Sequence, residues 1–132
     1  MATIESKKVA LNTGSQEVFD FVSDLSNLKE LLPQDKISDW QGSSDSCSFK
    51  VAGAYKVGLK HKTLTPPHSI VLTSDDSPID FDLDISINDN EGGAEASMVS
   101  NLNVNPFMKM MVEKPLKNLF DYIADKLQQK YS

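Results

Sequence analysis

His61 is the sharpest candidate for chemistry in this 132-residue sequence. It alternates with Tyr55, Val57 and Leu59, so one strand face carries all four, and a sheet turns such a face toward its cover. An imidazole so placed can act as an acid or base, or hydrogen-bond the polar end of a ligand. The plainer account is a strand end in solvent or a core histidine with its hydrogen bonds met, since no second catalytic-type residue stands beside it. Cys47 alternates with Phe49 and Val51 and should face inward as a small hydrophobe; no base on its face lowers its pKa, which argues against a nucleophile. Asp80, Asp82 and Asp84 share a face at spacings of about 6.5 to 7 Å, too far apart to hold one small ion unaided, and no calcium loop surrounds them. Gly53 and Gly58 lack the spacing and the following helix of a phosphate loop. On these grounds no catalytic residue, metal site or cofactor is assigned.

Composition narrows the field further. The net charge is −6, and all thirteen basic residues are lysine. General nucleic-acid binding needs a basic footprint, and the forked guanidinium that grips phosphates in two places is missing. The lone cysteine allows no internal disulfide, which favours a reducing, cytoplasmic setting. No apolar run follows Met1, and none reaches the roughly 18 residues of a membrane span. The length fits one domain over residues 1–132, able to bury roughly 68% of its unfolded surface.

The elements that must position these residues follow from periodicity. Residues 3–11 read as a strand with Val9 and Leu11 inward. Thr13 or Ser15 can cap a short helix carrying Val18, Phe19 and Val22, and Ser26 can cap a second with Leu28, Leu31 and Leu32, stopped by Pro33. About six strands follow as a meander. The clearest has Ile79, Phe81, Leu83, Ile85 and Ile87 on one face and polar residues on the other. Asn90 to Gly93 closes a hairpin into a strand whose inward set runs Ala94, Ala96, Met98, Ser100, Leu102 and Val104. Residues 46–74 hold Lys50, Lys56, Lys60 and Lys62 and no acid, while residues 75–95 hold eight acids and no base. Neighbouring strands should therefore pair charges across a solvated outer face.

The last 26 residues of that reading, Asn105 to Lys130, predict one long helix, with Asn105 as cap and Pro106 at the first helical position. Met108, Val112, Leu116, Leu119, Ile123 and Leu127 draw its apolar stripe. Met108, Met110 and Met111, with Phe107, gather flexible apolar side chains that suit either an adaptable cavity wall or ordinary core filling. Pro115 removes a backbone bond and predicts a kink near Met111, which would make the first half an adjustable lid and the second half an anchor.

The sequence resembles the helix-grip superfamily of START-like, birch-pollen-allergen-like and polyketide-cyclase-like domains, grouped as SRPBCC. Three stretches carry the resemblance: Val9 to Asn12 running into Val18 to Asp24, the Pro66-Pro67 turn within Leu64 to Ile70, and the terminal helix in the gripping position. It implies an α+β fold, a curved antiparallel sheet around a long C-terminal helix with two short helices after the first strand, as in small bacterial members. It also implies a cavity for a hydrophobic or amphipathic molecule, lipid-like or polyketide-like. The expected lining is Tyr55, Val57, Leu59, His61, Phe81, Leu83, Met98, Met108, Met111, Val112 and Leu119, with His61, Tyr55 and Ser100 orienting a polar end. A cyclase- or dehydratase-like enzyme using His61 ranks lower because the inward set offers no carboxylate partner. A protein-interaction module would instead require an exposed apolar patch.

Overall fold

The computed structural model describes residues 2–51, 55–77 and 79–132. In chain order these form β1 (Ala2–Glu5), β2 (Val9–Leu11), α1 (Ser15–Ser23), a 3-10 turn (Leu25–Asn27), α2 (Leu28–Leu31), β3 (Ile37–Gly42), β4 (Ser46–Val51), β5 (Tyr55–Thr65), β6 (Ser69–Ser74), β7 (Phe81–Asn90), β8 (Gly93–Leu102) and α3 (Pro106–Lys130). The strands make one curved antiparallel sheet in the order β1-β8-β7-β6-β5-β4-β3, and β2 also pairs with β8. Helix α3 lies against β1, β2, β8 and α2. This is the expected helix-grip α+β architecture.

The expected opening strand is split in two. Glu5 stands opposite Val99 and Val9 opposite Ala96, so the first strand pair carries one extra residue. Ser6 absorbs it: its amide donates to the Met98 carbonyl and its hydroxyl accepts from the Met98 amide, both at 2.9 Å. A bulge reverses side-chain parity, which is how Ile4 and Val9 both come to be buried.

The caps of the short helices also differ from expectation. Gly14 occupies the cap position of α1 and makes no side-chain bond. The Thr13 hydroxyl donates to the Glu17 carboxylate instead. Asn27, rather than Ser26, holds the cap position of α2, without a side-chain bond, and Asp24 caps the 3-10 turn before it, accepting from the Ser26 amide at 3.1 Å and its hydroxyl at 2.6 Å.

On the outer face the opposite-sign pairing is present. Lys56 pairs with Asp76 at 2.6 Å, and Lys62 reaches across β6 to Asp82 at 2.9 Å. Such solvated pairs each contribute little. The Gly53-Ala54 connection lies outside the described residues.

Helix α3 begins as its sequence predicts: the Asn105 side chain accepts from the Met108 amide at 2.8 Å, and Pro106 follows. It continues through Pro115, which has no amide to offer the Met111 carbonyl. Its second half is strapped to the opening strands and the loop after them. The Lys117 ammonium donates to the Glu5 carbonyl at 2.9 Å, and Asp121 accepts from the Lys7 amide at 2.8 Å. Asp125 pairs with Lys7, and the Asn12 amide donates to the Tyr131 carbonyl at 2.6 Å. Among the described residues, no hydrogen bond ties residues 106–116 to the sheet.

Candidate ligand cavity

The alternating inward residues of the sheet, the apolar faces of α1 and α2, and the stripe of α3 surround a cavity of about 100 Å³. Phe49, Leu59, Leu72, Leu83 and Met98 supply sheet wall; Val22, Leu25 and Leu28 close one end; Leu119, Phe120 and Ile123 form the roof. All of these are buried. Other wall residues, Val51, Val57, Ile79, Phe81 and Leu116, are only half-buried, and Lys56 and Pro115 beside them are exposed. The cavity therefore opens between the β4 and β5 ends, the connection before β7, and the middle of α3.

Gly58 sets one edge of that opening. A Cβ there would come within 1.8 Å of the Asp75 carbonyl oxygen, so only glycine lets the connection press against β5. The Asp75 amide donates to the Gly58 carbonyl at 2.9 Å, and the Ser77 hydroxyl accepts from the Gly58 amide at 2.6 Å. That docking holds Ser77 and Ile79 at the rim.

Polar groups on the wall are few and engaged. Ser100 is fully buried, and its hydroxyl donates to the Asp82 carbonyl at 3.0 Å, which leaves it only acceptor capacity toward the cavity. At the rim, the hydrogen bond and charge of Lys56 hold the Asp76 carboxyl below its ordinary range. Cys47 is buried, and burial pushes its thiol up to about 12, so it stays protonated and is a poor nucleophile at neutral pH.

Eight of the expected lining residues are on the wall: Val57, Leu59, Phe81, Leu83, Met98, Ser100, Val112 and Leu119. Three are not. His61 does face inward, opposite buried Leu72, but its Nε2–H donates to the Ser23 carbonyl at 2.6 Å. The end of α1 lies above that point of the sheet, so the ring clips helix to strand and does not reach the cavity. Met108 and Met111 are 36% and 52% exposed. Met111 sits about 100° round the helix from Val112, outside the buried arc, and Met108 lies a full turn before the first buried residue. The side chain of Tyr55 lies outside the described residues.

Sequence reasoning missed the end wall from α1 and α2, and it missed Phe49 and Phe120. Their apolar periodicity was visible; that these faces close the same cavity as the sheet was not. Phe120 stands beside stripe residue Leu119 and widens the buried arc to include Ala124.

No family model and no curated protein matches the sequence. Solved structures do. The protein XoxI from Bacillus cereus superposes with a TM-score of 0.76 at 9% identity, over 99% of this chain and 96% of that one. A START superfamily protein from Mycobacterium smegmatis gives 0.75 at 12% identity, over 98% and 96%. A protein from Thermobifida fusca gives 0.74 at 15% identity, over 99% and 93%.

Proposed function

Starting from a START-like helix-grip fold closed over an apolar cavity, we propose that this domain binds and carries a hydrophobic or amphipathic small molecule between sheet and α3. The observation that carries this reading is the cavity itself: buried apolar walls on three sides and one half-exposed apolar mouth at Val57, Ile79, Phe81 and Leu116. Burial of ligand carbon would supply the affinity, at about 25 cal/mol per Å² of apolar surface. Ser100, as an acceptor, would favour a ligand presenting a hydroxyl or amide hydrogen.

The present volume is below the ~150 Å³ of a cavity that takes benzene and the ~300 Å³ of ordinary ligand pockets. Uptake of a lipid-like or polyketide-like molecule therefore requires expansion. The first half of α3, which lacks the straps of the second, is the element that would move. The lone buried thiol suits carriage in a reducing cytoplasm, and the acidic charge gives nucleic acid no footing. No helix among the described residues is long and apolar enough to cross a membrane. The cyclase- or dehydratase-like reading loses its nominated acid–base group, because His61 is engaged away from the wall.

Native mass spectrometry of freshly purified protein tests the proposal. A copurifying mass lost on denaturation is expected. Val57→Trp, at the half-exposed mouth, should abolish that mass while the protein stays folded by circular dichroism. A wild type that carries no mass and gains no thermal shift from a lipid and polyketide panel would end the binding reading.

A further inference from the structure

Among the described residues of the buried cavity wall, Ser100 alone has a polar side chain, and its hydroxyl hydrogen is committed to the Asp82 carbonyl. The side chains of that wall therefore offer one acceptor and no free donor. Sheet register sets Ser100 opposite Leu83, one inward row beyond half-buried Phe81 at the mouth, about 6.5 to 7 Å further in. At the rim, Ser77 is engaged in both senses with Gly58, accepting from its amide at 2.6 Å and donating to its carbonyl at 3.2 Å. Lys56 is paired with Asp76, and Asp75 and Asp80 stand exposed on the same connection. We propose, on the premise that the cavity binds a ligand, that this ligand is an uncharged, hydroxyl-bearing apolar molecule such as a long-chain alcohol. Ser100 selects it over a free carboxylic acid by accepting the ligand's hydroxyl hydrogen.

A hydroxyl stripped of water needs an acceptor for its hydrogen, and leaving it unpaired costs more than the bond itself returns. Ser100 supplies that acceptor. A carboxylate needs donors or a cation, and this buried wall has neither among its described side chains. Turning the Ser100 hydroxyl toward it would give up the bond to Asp82 and still leave the charge uncompensated. Holding the acid end outward does not rescue it. The connection at the mouth carries Asp75, Asp76 and Asp80, and the adjacent Lys56 is already paired. The lysines of α3 near the mouth are turned elsewhere. Lys117 bonds Asp121 and the Glu5 carbonyl, and Lys114 lies about 160° round the helix from Leu116.

Calorimetric titration of the full chain with 1-decanol, its methyl ether and decanoate, at about pH 8, tests this. Wild type should bind decanol about tenfold or more tightly than decanoate. The ether keeps the chain and the oxygen but lacks the hydroxyl hydrogen. Ser100→Ala, folded by circular dichroism, should weaken decanol about fivefold or more relative to the ether, because that hydrogen then has no acceptor. Comparing two ligands on two variants cancels the change in cavity volume. Decanoate bound by wild type as tightly as decanol overturns the proposal without any variant. An alcohol-to-ether ratio unchanged by Ser100→Ala overturns it too, and in both cases the binding reading survives. Binding of none of the three overturns it as well; joined to the absence of a copurifying mass, that result ends the binding reading also.

Discussion

Ser23 ends α1 with a carbonyl that has no partner inside the helix, and His61 supplies one at 2.6 Å. Removing the ring leaves a part-buried acceptor unpaired, at a cost of about 1 to 2 kcal/mol. His61→Ala is therefore expected to lower the melting temperature by roughly 3 to 8 °C for a domain of this size. Ligand uptake by the same variant should be unchanged. An unaltered melting temperature, or lost uptake at full stability, would return His61 to the cavity. Alternation placed His61 on the inward face, but strand parity contains no information about which element lies above that face. Gly58 shows the same limit: its spacing excluded a phosphate loop, while its role in admitting the Asp75 carbonyl depends on a segment 17 residues away in sequence.

At the scale of elements, the two halves of α3 differ in how they are held. Asp121 accepts from the Lys7 amide at the β1–β2 bulge and from Lys117 on its own helix at 3.1 Å. Burial pushes its pKa upward, but the Lys7 amide and the Lys117 ammonium outweigh that and leave its carboxyl below the ordinary range. A carboxylate lowered on folding adds stability above its unfolded value, about 3.9, and loses it as pH falls through the folded value. Asp121→Asn is thus expected to be less stable than wild type at neutral pH, with the gap closing below about pH 4. Urea midpoints across that range check it, and a gap that stays constant with pH would rule out the linkage. The helix, its Asn105 cap and the meander were legible because each depends on local spacing. The strap was not, since Lys117, Asp121 and Asp125 have the periodicity of any solvated helix face. The bulge at Ser6 was hidden for a related reason: it is defined by the register of β8, more than 90 residues later.

For the whole molecule, the proposed binding requires a cavity of about 100 Å³ to widen before it admits a larger guest. Widening the sheet would break ladder bonds shared by every strand, and moving the second half of α3 would break its straps to β1, β2 and Asn12. Moving residues 106–116 breaks neither, and Pro115 has already removed one bond of the helix at that junction. The cavity opens against this same segment, through Val112, Pro115 and Leu116. Local opening with few buried contacts costs less than global unfolding and is visible as faster amide exchange. Amides of residues 109–114 are therefore expected to exchange well before those of 119–127 in the ligand-free protein. Saturation with the copurifying ligand should slow the first group and leave the second nearly unchanged, because only the first must open for entry. Uniform protection along α3, or ligand-induced protection confined to 119–127, would mean that entry uses another route and that the first half of the helix is no lid.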